Sequence, residues 1–165
     1  TMVTGDSTTP RKTRIMYGVP EIQGAAHRAL VDRAFGPLRA VYTRRAGPPR
    51  AAWPGSRTVV AERGGGLVGA VSFYLTEQQV RLFAVAVDPD WRRRGIARAL
   101  IEWIADNVCS DTHPELGLYT VEETGNAAIF ERLGFCIVSR RVAVDAVSPS
   151  GGPVHELDMV RRVIR

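Results

Sequence analysis

Apolar positions recur along this chain in two rhythms. Ile22, Ala25, Ala26, Leu30, Val31 and Ala34 fall at helical spacing, with Pro20 suited to a first turn and Gly36-Pro37 to a stop. Ile96, Leu100, Trp103, Ile104 and Val108 make a second stripe opposite Arg98, Glu102 and Asp106, which predicts an amphipathic helix. Shorter helices are expected over 38–45, ended by Gly47-Pro48-Pro49, and over 125–133, ended by Gly134. The β-rich runs are 13–17, 57–62, 67–75, 80–87 and 116–121, with Gly64-Gly65-Gly66 as the loop of a hairpin. Residues 135–147 and 154–163 predict a long terminal hairpin around 148–153.

The sum is a mixed sheet: antiparallel strands first, then one strand–helix–strand crossover through residues 80–121. That is an α/β layered domain. A single domain over 13–165 is expected, after a polar leader at 1–12 that reads as flexible. No GxGxxG opens the first helix, so a Rossmann fold is excluded.

Composition narrows the classes only a little. The net charge of +5 is carried by arginine, Lys12 being the only lysine, and suits an anionic partner, either nucleic acid or a phosphate-rich cofactor. Charge does not choose between them, but the chain lacks the interleaved aromatic and basic residues of single-strand readers. No apolar run is long enough to span a bilayer and no signal-peptide core is present, so a cytoplasmic protein is expected. Cys109 and Cys136 have no CxxC spacing and read as two reduced, mostly buried thiols. His27, His113 and His155 have no ligand spacing, and no metal is expected.

The informative run is 85–98, Val-Ala-Val-Asp-Pro-Asp-Trp-Arg-Arg-Arg-Gly-Ile-Ala-Arg. A strand ends near Val87, a turn forms on Asp88-Pro89-Asp90, and a helix opens near Gly95. The first turn of any helix leaves amide N–H groups without intrahelical acceptors, and with the positive end of the dipole they form an anion site. Gly95 and Ala97 keep side chains out of the way, and Arg92, Arg93 and Arg94 add charge suited to phosphate.

Residues 92–97 resemble the acyl-CoA signature of the GNAT superfamily of N-acetyltransferases, Arg/Gln-x-x-Gly-x-Gly/Ala after a strand. Residues 126–135, Asn-Ala-Ala-Ile-Phe-Glu-Arg-Leu-Gly-Phe, are similar to that family's Asn-x-x-x-Tyr-Glu-Arg-x-Gly-Phe element. The resemblance implies a mixed central sheet of about seven strands with four or so helices on both faces. It implies acetyl-CoA as acyl donor, no metal, and transfer of the acetyl group by direct attack of a primary amine, on a small molecule or on a peptide or protein. The pantetheine arm would lie along the backbone of Val85, Ala86 and Val87. The pyrophosphate would sit at the amides of residues 93–98, with Arg92, Arg93, Arg94, Gly95, Ile96, Ala97 and Arg98 as the cofactor site. Asn126 would touch the pantetheine, although an Asn there also suits a helix cap. A monomer or a homodimer fits equally, and neither nucleic acid nor membrane is implied.

The chain departs from the pattern where catalysis is concerned. Phe130 stands at the tyrosine of the second element, and Arg81 where some relatives carry a carboxylate. Another family location falls near Tyr119, with Glu122 and Glu123 just beyond as candidate bases. Tyr119 and Glu122 are therefore the catalytic candidates. Strand alternation puts Arg81 on the side of Phe83 and Val85, unless a bulge breaks the parity, where it would bind an anionic group on the acceptor. These departures keep a second reading open, a non-catalytic acyl-CoA-binding module.

Overall fold

The computed structural model describes residues 13–17, 24–44 and 55–164. The leader, Pro20, Ile22 and the Gly47-Pro48-Pro49 cluster lie outside these. The strands are β1 (Arg14–Tyr17), β2 (Thr43–Arg44), β3 (Arg57–Arg63), β4 (Gly66–Leu75), β5 (Gln79–Val87), β6 (Glu115–Val121), β7 (Cys136–Val147) and β8 (Pro153–Arg162). The helices are α1 (Ala25–Phe35), α2 (Ile96–Asn107) and α3 (Ala127–Arg132). Eight strands form one mixed sheet in the order β1-β3-β4-β5-β6-β8-β7-β2. Every pairing is antiparallel except β5 with β6, which α2 connects. The count exceeds expectation by one strand and falls short by one helix.

That difference has one origin. Residues 38–44 do not form the expected second helix, whose last residue, Arg45, lies outside the described residues: Gly36–Ala40 is a 3₁₀ turn, and Thr43–Arg44 pairs with Val147 and Ala146 of β7. Val41, Tyr42 and Thr43 are β-branched or aromatic and weak helix formers, so an available strand edge wins.

α2 covers one face of the sheet. Ile96, Leu100, Ile101 and Ile104 pack there on Val59, Val71, Phe73, Leu82, Leu116, Leu118 and Met159. Each such side chain, fully buried, stabilises the fold by about 1.5–3 kcal/mol relative to exposure. α1 covers the other face through Leu30 and Ala34, against Val60, Ala70 and Ala86. Cys109 is buried in the core beneath α2, but Cys136 is exposed, contrary to expectation, because it opens the run 136–142 of β7, which is exposed throughout. Among the described residues no helix is long and apolar enough to cross a membrane.

Two irregularities shape the middle of the sheet. Ala70 pairs with Ala86 but Ser72 with Phe83, so Ala84 and Val85 together face Val71 alone. This is a bulge, and Ala84 takes a left-handed φ of 49° within it. The parity of β5 flips there: Val80 and Leu82 face α2 before the bulge, Val85 and Val87 after it. Arg81 therefore shares a face with Phe83 but not with Val85. The second irregularity is that the β5–β6 ladder stops at Leu82–Leu118. Beyond it the two strands have no mutual pairing.

Candidate active site

The gap between the diverging strands carries two cavities. One, about 480 Å³, lies at the start of α2 and is lined by Val85, Val87, Trp91, Arg92, Arg93, Gly95, Ile96, Ala97, Arg98, Asn126, Phe130 and Arg132, with Ala34, Leu38, Ile129 and Leu133. Among the described residues, four arginines and no carboxylate line it. The chain enters α2 through a left-handed Arg93 (φ 62°) and a left-handed Gly95 (φ 73°), and no side chain caps the helix. The first-turn amides are thus open to a ligand anion. Only glycine takes the Gly95 conformation without steric cost.

Neighbouring contacts hold this helix start in place. Asp88 accepts from the Asp90 amide at 3.0 Å and from Arg33 of α1 at 3.0 Å. Arg92 reaches the Ala34 carbonyl at 3.3 Å, and Arg98 the Arg132 carbonyl at 3.2 Å. On the far side Arg161 forks onto both oxygens of Glu102, at 2.7 and 3.1 Å, holding that carboxyl below the usual range. Such a cradle suits a diphosphate on the amides and further phosphate on the guanidinium groups. Ala86 and Arg94 do not line it with their side chains: Ala86 is buried under α1, and Arg94 stacks on Trp91 at 4.8 Å. Asn126 begins α3 without a side-chain cap bond. Its backbone amide donates to Thr124 Oγ1 at 3.2 Å, and its side chain lines the groove.

The second cavity, about 410 Å³, lies on the α1 face. Tyr42, Arg44, Tyr74, Arg81, Phe83, Tyr119, Thr120, Arg141, Asp145 and Glu156 are among the residues that line it. The two cavities share Leu38, Val85, Asn126 and Phe130. They meet where the bulge pushes β5 away from β6.

Tyr119 lines this second cavity between two guanidinium groups, with Arg81 at 4.3 Å and Arg141 at 5.0 Å from its ring centre. Arg81 is only 6 % exposed. Its Nη1 donates to Gln79 Oε1 and Asp158 Oδ1, both at 3.0 Å, while its buried Nη2 finds no acceptor. The face of the Tyr119 ring compensates that charge in part. Glu122 is ion-paired with Arg140 and does not line either cavity. Glu123 is likewise turned away: the amide of His155 donates to it, and its ring Nδ1 lies 2.6 Å from Oε1. Burial raises the Glu123 pKa, yet these bonds bring it below the usual range.

Two carboxylates do reach the cavity, Asp145, which is bonded to Arg44, and Glu156, opposite Val121 in the β6–β8 ladder. Arg141 donates to Glu156 Oε2 twice, from Nε at 3.0 Å and Nη2 at 2.9 Å, and that bond raises the Arg141 pKa. Oε1 accepts nothing among the described residues. Sequence reasoning missed Glu156, Arg141 and Arg132. The first two depend on the register of the terminal hairpin; Arg132 lay within the second motif and its position two residues before Gly134 was the available signal.

Solved structures share this fold. Over 93% of this chain and 96% of that one, it superposes on the ribosomal-protein-S18-alanine N-acetyltransferase of Escherichia coli with a TM-score of 0.67 at 19% identity. Nourseothricin acetyltransferase gives 0.67 at 21%, over 92% of this chain and 99% of that one. An aminoglycoside 6′-N-acetyltransferase complexed with coenzyme A gives 0.66 at 16%, over 92% and 98%. The fold class is thus that of the N-acetyltransferases. The family model of the acetyltransferase (GNAT) domain matches residues 54–137, and the chain belongs to that family. The [ribosomal protein bS18]-alanine N-acetyltransferase of Salmonella typhimurium (strain LT2) is 38% identical over 60 residues, which span 34% of this chain and 39% of that relative.

Proposed function

We propose that this protein transfers an acetyl group from acetyl-CoA to a primary amine, with the donor in the arginine-lined groove and the acceptor in the cavity on the α1 face. One observation carries this: the two cavities join at Leu38, Val85, Asn126 and Phe130, in the opening between β5 and β6. The unpaired backbone edge of β5 after Leu82 can accept an amide-bearing arm as a further strand.

The chemistry required is modest. The amine must be neutral; its nitrogen attacks the thioester carbonyl, the C–N bond forms, the C–S bond breaks, and the amine proton ends on the departing sulfur. Glu156 Oε1 is the group placed to take that proton, and the Tyr119 hydroxyl is a second polar group in the same cavity. Neither Cys109 nor Cys136 lines either of these two cavities, which supports direct transfer rather than an acylated enzyme. Phe130 cannot donate a proton, but a thiol has a pKa near 8.5 and leaves as thiolate with little help. Phe130 is also what favours the other reading, a module that binds acyl-CoA without turning it over.

Calorimetry with acetyl-CoA, followed by thiol release over a panel of amines, tests the proposal. Binding with amine-dependent thiol release is expected. Binding without release on any amine means the non-catalytic module.

A further inference from the structure

The acceptor cavity has an uneven charge inventory. Three arginines line it, Arg44, Arg81 and Arg141, against two carboxylates, Asp145 and Glu156. Each of the three has a carboxylate partner, Asp145 for Arg44, Asp158 for Arg81 and Glu156 for Arg141.

The three arginines are not equally occupied. Arg81 is buried, with Gln79 and Asp158 on one nitrogen and the Tyr119 ring over its face. Arg44 donates to Asp145 at 3.0 Å and lies against Tyr42. Arg141 spends both Nε and Nη2 on a single oxygen of Glu156, leaving Nη1 without an acceptor among the described residues. Its side chain is 55% exposed. Arg141 and Glu156 are direct cross-strand partners on β7 and β8. Nη1 of Arg141 and Oε1 of Glu156, neither with a partner among the described residues, thus belong to two cross-strand neighbours that line one cavity. They are complementary to a molecule carrying an amine and a carboxylate on the same carbon. The volume, about 410 Å³, lies within the range of small-molecule sites. Tyr42, Tyr74, Phe83 and Tyr119 give the remaining wall an aromatic surface for a side chain.

We propose that the acceptor is a free α-amino acid, its amine on Glu156 and its carboxylate on Arg141, which makes Arg141 the specificity-determining residue. This rests on the acetyl-transfer reading above. A charge-assisted bond to the carboxylate is expected to give about 10–100-fold preference over an uncharged amide.

The test is a panel of the L-amino acids, each with its carboxamide and its decarboxylated amine, together with an amide-capped peptide and spermidine. Thiol release from acetyl-CoA is measured for wild type, Arg141→Met and Arg141→Lys. The expected result is a best amino acid whose kcat/KM exceeds that of its carboxamide by more than about tenfold. Arg141→Met should bring the two within about threefold, and Arg141→Lys should restore part of the preference. Equal or better turnover of the carboxamide, the capped peptide or spermidine by wild type overturns the proposal. So does a preference that survives in Arg141→Met. The panel and calorimetry separate the levels: turnover of another amine but of no amino acid sinks this inference alone, and acetyl-CoA binding with no turnover of any amine, or no acetyl-CoA binding, sinks the transfer reading with it.

Discussion

Nη1 of Arg81 lies 2.3 Å from where a β-carbon on Gly117 would stand. The guanidinium crosses from β5 over β6 through a gap that glycine leaves, and from there it reaches Asp158 on β8 and supports Tyr119. Gly117→Ala should push Arg81 aside, destabilising the fold by about 1–3 kcal/mol as overpacking does. It should also lower kcat, because the Tyr119 ring loses its support. Urea melts and thiol-release kinetics read the two effects. A fully stable, fully active Gly117→Ala protein would show that Arg81 has room to move and positions nothing.

The phosphate cradle is tested at Gly95. Gly95→Glu places a negative charge where the arginine-lined groove and the first-turn amides favour an anion, and should weaken acetyl-CoA binding by more than about 100-fold. A control is needed because φ is 73° there. Gly95→Ala carries the left-handed strain of about 1–2 kcal/mol without the charge. It should retain most of the affinity. Calorimetry showing equal losses in both variants would assign the effect to backbone strain instead.

Two carboxylates can be set against each other for the role of base. Glu156→Gln should cut kcat by about 10²-fold or more, the low end of general-base contributions. Glu122→Gln, which loses only the exposed pair with Arg140, should stay within about twofold of wild type. The opposite ranking would return the role to Glu122.

Phe130 borders both cavities and meets Phe135 edge-to-face at 6.1 Å. Phe130→Tyr should leave kcat unchanged or raise it, with little change in acetyl-CoA affinity. A fall beyond tenfold in a folded protein would mean that the cavity junction has no room for the hydroxyl.

The clamp behind the cofactor groove gives a pH signature. Arg161, through its bonds to Glu102, holds that carboxyl below its ordinary 4.5. A depressed folded-state pKa contributes stability above the unfolded value, and that contribution is lost as pH falls through the folded one. Glu102→Gln should therefore lower Tm at neutral pH, with the gap to wild type closing as pH falls below about 4. A gap that stays constant down to strongly acid pH would show that packing rather than charge makes the difference.

The parts of this molecule that follow from local sequence could be read without coordinates. The α2 stripe, the arginine-glycine entry to it and the turn around Asp88 are contiguous, and each residue's role follows from its neighbours. Arg92, Arg93, Gly95, Ile96, Ala97, Arg98 and Asn126 accordingly come together in one groove. The acceptor side is assembled from residues far apart in the chain. Glu156 meets Arg141 only through the β7–β8 register, and Arg44 arrives because a two-residue strand captures the end of the β7 edge. Arg81 was legible as a residue on the acceptor side, but not its occupancy by Asp158, since that pairing spans three strands. The bulge at Ala84 and Val85 was equally hidden. No glycine marks it, so nothing in the run 80–87 announces where alternation breaks.

That bulge and the divergence it begins leave the sheet with an uneven seam. Among the described residues, four pairs, Gln79–Leu82 against Glu115–Leu118, make the whole backbone ladder between the antiparallel half β1-β3-β4-β5 and the antiparallel half β6-β8-β7-β2. Past the last pair, the facing edges of residues 84–87 and 119–121 are backbone without a ladder between them. Each half can breathe against the other there at little cost in hydrogen bonds, and amides along those edges should exchange faster with deuterium than their sheet neighbours do. An arm bearing amides of its own, laid along the opening, adds bonds where the ladder ends. The donor substrate would then serve as a detachable stitch, stiffening the molecule when it binds and loosening it when spent thiol departs.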